Sequence, residues 1–147
     1  MGHVILFSGW YSPELCRSHP HKTFVFGDNM LRFGKGGQAI IRDEPNAYGV
    51  VTKRKPAMTN DSFFREGNEH DMDAVLADLS GLWDLLKIDG TVVVPITEQQ
   101  QVSLGCERAC LPEVAPSIYD TIVRHVDEMC DAYLWSQVSN ADALLSA

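Results

Sequence analysis

Short apolar runs alternate along this chain with longer stretches of helical spacing. His3 to Phe7 is a compact apolar run and predicts a first strand. Ser8-Gly9-Trp10-Tyr11-Ser12-Pro13 is a turn-rich exit, and Glu14 to Arg17 suffices for one helical turn. Thr23-Phe24-Val25-Phe26, β-branched and aromatic, predicts a short buried second strand that Gly27-Asp28-Asn29 breaks. Gly34-Lys35-Gly36-Gly37 follows, and Gln38 to Arg42 resumes as a helical turn or two before Pro45 stops it. Tyr48 to Thr52 predicts a third strand, with Lys53-Arg54-Lys55-Pro56 at its carboxyl end. Residues 57 to 68 are polar and irregular, and Phe63-Phe64 within them either folds back onto the core or flanks a base.

A long amphipathic helix is predicted from Glu69, because Met72, Val75, Leu76, Leu79, Leu82, Trp83 and Leu86 recur at helical spacing. Acidic residues fill its first turn and Asp89-Gly90 ends it. Thr91 to Ile96 is the most strand-like run and predicts a central parallel strand buried on both faces. Thr97 to Pro112 is a long polar loop carrying Ser103, Gly105, Cys106 and Arg108. From Glu113 the pattern is helical again, with Val114, Ile118, Ile122, Val126 and Met129 as its stripe. Residues 133 to 147 predict either a last helix or an interaction segment. Strands alternating with helices make this an α/β chain of a single domain.

Composition narrows the partners. At 147 residues, 45% apolar and 22% charged, the chain can bury a core without staples. A net charge of −8 argues against bulk nucleic acid and acidic membranes. No run approaches the roughly 20 apolar residues of a membrane span, and Met1 to Phe7 lacks the pattern of a signal peptide. Four scattered cysteines fit reduced thiols, so the expected setting is cytoplasmic. Cys16, His19 and His21 lie close together but match no four-ligand spacing, so neither a metal nor a cofactor is expected.

The charge is uneven. Between Phe24 and Pro56, Arg32, Lys35, Arg42, Lys53, Arg54 and Lys55 face only Asp28, Asp43 and Glu44. A basic island in an acidic protein suits a small anionic ligand or is a solvated loop. Strand, polar turn, glycine-rich loop and helix in that order converge backbone N–H groups on an anion. The candidate ligand contacts of this stretch are Gly27, Arg32, Gly34, Lys35, Gly36, Gly37 and Gln38, followed by Thr52, Lys53 and Arg54 at the exit of the third strand. Ser103 and Gly105 come from the loop after the central strand, which leaves the same sheet edge.

Asn29 after a strand, then Gly34-x-Gly36-Gly37-x-Ala39-Ile40, is similar to the first binding loop of macro domains. Thr91 to Pro95, Leu104-Gly105 and Pro112 resemble the second phosphate loop of that fold. The motifs VFGDN and GKGGQAIIRDEPNAYGVVTKR also resemble a little-characterised set of short phage and bacterial proteins. The resemblance spans Phe24 to Val126 and implies one macro-like α/β domain over residues 1–147, a mixed, mostly parallel sheet flanked by helices, with 133–147 as a C-terminal extension. It implies an ADP-ribose-like or other nucleotide-derived ligand, with Asn29 at the distal ribose, Gly34, Gly36 and Gly37 along ribose and diphosphate, and Gly105 in the second loop. Where macro domains carry further glycines, this chain has Cys106-Glu107-Arg108-Ala109-Cys110.

Two functions follow. One is hydrolysis of an ADP-ribosyl linkage, with Asp28 orienting or deprotonating water and Asn29 fixing the ribose; for Asp28 the alternative is a turn residue capping its own backbone. The other is a phage-type module that sequesters a nucleotide signal without catalysis. A protein-interaction role with a vestigial pocket is a third, and the oligomeric state is open.

Overall fold

The computed structural model describes residues 1–146, the side chain of residue 146 excepted. Five strands form one sheet: β1 (His3–Phe7), β2 (Lys22–Asn29), β3 (Ala47–Lys53), β4 (Thr91–Pro95) and β5 (Leu134–Val138). Their spatial order is β3-β2-β4-β1-β5, and every pairing is parallel. The expectation of a mixed sheet is thereby sharpened: antiparallel contact is confined to two single bridges, Lys53 with Phe63 and Ile96 with Val102. The central position of β4 follows from its valine run, which has apolar neighbours on both faces.

The side chains divide between two cores with the strand period of two. Val4, Val25, Val92 and Val94 belong to one core, with Val75, Leu79, Leu82 and Leu86 of α2 (Glu69–Lys87) and Ile118, Ile122, Val126 and Met129 of α4 (Pro116–Tyr133). Ile5, Phe7, Phe24, Phe26 and Val93 face the other way. There Leu15 and Cys16 of α1 (Pro13–Ser18), together with Ala39 and Ile41 of a 3-10 helix (Gly37–Ile41), cover them. Right-handed crossovers require this division, since β1→β2→β3 steps one way across the sheet while β3→β4→β5 steps back.

Several elements differ from the sequence expectation. β2 continues through Gly27-Asp28-Asn29, because those residues keep pairing with β3 and only bulge at the Asp28/Asn29 step. The helix expected from Glu113 is divided into α3 (Leu111–Val114) and α4, since Pro116 cannot continue α3 and instead opens α4 at its first turn. Beyond α4, Leu134–Val138 pairs with β1 as an edge strand, and a 3-10 helix (Asp142–Ser146) returns Leu144 to the core that holds Ile5 and Phe7. Phe64 is fully buried against α2 and α4, which decides Phe63-Phe64 in favour of the core. Among the described residues no helix is long and apolar enough to cross a membrane, and no three His, Cys, Asp or Glu side chains converge as a metal site.

The chain leaving β3 is fixed to the start of α2. Asn68 caps that helix by accepting the Asp71 N–H at 3.0 Å. The buried Asp71 carboxylate accepts two bonds from Arg54 (2.9 and 2.7 Å) and one from the Arg65 N–H (3.0 Å). Asp71→Ala removes all three acceptors, and the expected loss is on the order of 2–3 kcal/mol. Urea denaturation monitored by circular dichroism measures it; a loss under about 0.5 kcal/mol would show the clamp to be dispensable.

Candidate functional site

A cleft of about 1000 Å³ opens at the carboxyl ends of the strands. Its position follows from topology: β2 and β4 are neighbours whose outgoing chains leave to opposite faces, which parts the loops above them. The glycine-rich loop after β2 forms one wall and residues 101–109 after β4 form the other. The walls meet at Gly27, where any Cβ would overlap the Leu104 carbonyl, so only glycine lets the second loop seat on the strand end. Gln38 ties them together. Its Oε1 accepts the Gly27 N–H at 3.0 Å and its Nε2 donates to the Ser103 carbonyl.

The side chains of the expected catalytic pair, Asp28 and Asn29, are both engaged within the protein. The Asp28 carboxylate is 2% exposed. Its Oδ1 accepts from Arg42 Nη2 at 2.6 Å and from the Asn29 N–H at 2.8 Å, and Oδ2 accepts from Arg32 Nη1 at 3.1 Å. Arg42, stacked 5.3 Å over the Phe26 ring, extends this grip by donating to the carbonyls of Gly34 (2.7 Å) and Phe33 (3.3 Å). Asn29 closes the same turn, donating from Nδ2 to the Phe33 carbonyl and accepting the Leu31 N–H at Oδ1. Both side chains shape the glycine loop from behind. Gly34 and Gly37 in that loop take φ of +99° and +58°, values that side chains with a Cβ resist.

The basic island is mostly neutralised, by its own Asp28 and Asp43 and by Asp61, Asp71 and Asp78 from later in the chain. Arg32 reaches Asp28 and Asp78, Lys35 pairs with Asp43, Arg42 with Asp28, Arg54 with Asp71, and Lys55 with Asp61. Asp78 of α2 also accepts the Val51 N–H, closing part of the outer edge of β3. Arg32, Lys35 and Arg54 consequently lie outside the cleft, contrary to expectation; Arg32 borders a separate hollow of about 330 Å³ beside Tyr48 and Asp78. The structure does bring together Gly27, Gly34, Gly36, Gly37, Gln38, Thr52, Lys53, Ser103 and Gly105 around one space, with Asp28 and Asn29 at its border. Thr52 is buried in the floor, its hydroxyl donating to the Asp28 carbonyl at 3.4 Å.

Two cations that line the cleft have no carboxylate partner among the described residues. One is Lys53, whose Nζ donates to the Ala57 carbonyl at 3.1 Å. Burial lowers its pKa below the ordinary lysine value, and the nearby positive charge of Arg108 lowers it further. Arg108 reaches across from the second loop, with Nη1 3.4 Å from where a Cβ on Gly37 would stand. Its guanidinium has no hydrogen-bond or ion-pair partner among the described residues. Two cations beside a glycine loop have the chemistry to attract an anion.

Sequence reasoning placed Arg108 in the second loop without giving it a role, and passed over Trp10, Tyr11, Phe33 and Tyr119, which also line the cleft. The available signal for Arg108 was its place where a macro-type loop carries glycine. Trp10 had a positional signal, the exit of a strand beside the central one. Tyr11 is pinned by donation to the Val25 carbonyl at 2.7 Å, and this leaves Trp10 pointing outward and 95% exposed.

Asp28→Asn removes the charge that faces two guanidinium groups and is expected to cost on the order of 3 kcal/mol of stability, with Arg42 left unpaired. Thermal and urea unfolding check this, and limited proteolysis should cut the 31–37 loop faster. An Asp28→Asn protein as stable as the parent would remove the clamp role.

No curated protein and no solved structure matches this chain. Residues 6–125, most of the domain including both walls of the cleft, match DUF7831, a family of unknown function, and the chain belongs to that family.

Proposed function

We propose that the cleft binds a small anionic ligand of the nucleotide class and holds it without turnover. The observation that carries this reading is the convergence of Lys53 and Arg108 on the glycine loop, both without a carboxylate partner, in a domain whose other basic residues of that region are paired. A ligand phosphate supplies the missing counter-charge, and charge-assisted bonds from both cations favour it. The glycine loop is already fixed from behind by Arg42 and Asn29, so little ordering is required on binding. The resemblance to macro-type loops favours ADP-ribose and its relatives within that class. Binding is preferred over hydrolysis because Asp28, the acid beside the glycine loop, is committed to two arginines and shielded from solvent.

Thermal-shift and calorimetric titration with ADP-ribose, ADP and pyrophosphate tests the reading. Arg108→Ala and Lys53→Met are each expected to weaken binding about 10-fold or more, and ligand released by heat denaturation should be chemically intact. Absence of any stabilisation across the three ligands overturns the proposal; a converted product would establish a hydrolase instead. The pH dependence has a definite sign. The anion binds protonated Lys53, so affinity holds at lower pH and is lost as pH rises through the depressed Lys53 pKa, earlier than for an ordinary lysine.

A further inference from the structure

We infer that the ligand carries two nucleobases joined through a diphosphate, a 5′,5′-linked dinucleotide, with one ring on Trp10 and the other on Phe33. The inference deepens the anion-site reading above and rests on it. Three observations carry it. The first is length: the cleft runs from Lys53 at the end of β3, past β2 and β4, to Trp10 at the end of β1. Three strand spacings are about 14 Å, and a volume of about 1000 Å³ stands at the large end for small-molecule sites.

The second observation is the placement of aromatic rings. Trp10 and Phe33 both line this cleft while being 95% and 70% exposed. Neither ring has an aromatic partner among the described residues. Both are held on structured turns, Trp10 by its neighbour Tyr11 and Phe33 by the bonds that Asn29 and Arg42 give to its carbonyl. Exposed rings carried on anchored backbone at the mouth of a site are available for stacking, and stacking on a base contributes enough to matter in affinity.

The third is the charge order. Phe33 adjoins the glycine loop, whose Gly34 lies against Pro56 just beyond Lys53. Arg108 meets that loop at Gly37, over the β2–β4 junction fixed by Gln38. Trp10 stands on the far side of that junction, above β1, the neighbour of β4. In strand order Arg108 therefore falls between the two rings, with Lys53 at the β3 end of the cleft beside Phe33's loop. A diphosphate between two nucleosides has that order, whereas a mononucleotide occupies one ring only. The acidic remainder of the protein disfavours a long nucleic-acid strand, so a free dinucleotide is the favoured source.

The test compares pyrophosphate, ADP, 5′,5′-diadenosine diphosphate and a short single-stranded oligonucleotide by calorimetry on the full chain. The dinucleotide is expected to bind at least about 5-fold more tightly than ADP, from a second stacked base. Trp10→Ala and Phe33→Ala, both surface truncations, should each lower the ratio of dinucleotide to pyrophosphate affinity by at least about 5-fold, and Trp10→Phe should restore most of it. Equal affinity for ADP and dinucleotide, or a ratio untouched by either variant, overturns the two-base ligand while leaving the anion site standing. Oligonucleotide binding tighter than the dinucleotide overturns the small-molecule assignment. Failure of pyrophosphate and ADP to bind at all, with or without Arg108, overturns the anion site itself.

Discussion

The site depends on the pairing of Asp28 with Arg42. Asp28 ends a strand in the middle of the fold, and Arg42 lies just past the short helix that follows the glycine loop. Their bond at 2.6 Å draws the chain back on itself, and the rest of the guanidinium then fixes the carbonyls of Phe33 and Gly34. A buried ion pair of this kind is a weak source of stability but a strong source of uniqueness, because any other arrangement strands a charge away from water. The loop therefore keeps one shape before any ligand arrives. Its polar backbone can face the cleft because its other side is fully occupied.

The second wall is positioned by different physics. Gly27 permits a contact that any side chain would forbid, and Gln38 then joins strand, helix and loop through one amide. Electrostatics shapes one wall and close packing seats the other. Arg108 sits on the second wall and Lys53 at the strand exit below the first, so the cationic centre exists only when both walls are in place.

Much of the fold was legible from pattern alone. Strand positions, the long helix after Asn68 and the central β4 follow from periodicity, which reports burial directly. The tail was not legible, since Leu134 to Val138 is half exposed and too short to show a period; its pairing with β1 is decided by tertiary contact. The glycines that line the cleft were legible in the sequence, and the ion pairs of its basic residues were not. Glycines constrain local conformation, and local sequence reveals them. Arg32, Lys35 and Arg54 looked equivalent to Lys53 because their partners Asp78, Asp43 and Asp71 are mostly remote in sequence. Which cation stays free is a property of the folded surface. Asp28 shows the same limit: a carboxylate next to a glycine loop reads the same in sequence whether or not arginines hold it.

The strand order also has a consequence for how the chain reaches this structure. β1 pairs only with β4 and β5, whereas β2 and β3 find each other across a short connection. On a growing polypeptide the apolar segment from His3 to Phe7 therefore has no lateral partner until Thr91 to Pro95 has been made, and its second partner is added nearly at the end. Distant pairings of this kind slow folding and leave sticky segments exposed in the meantime. The β2–β3 hub, with its glycine loop and arginine clamp, can assemble first; the aromatic end of the cleft, which stands on β1, is completed last.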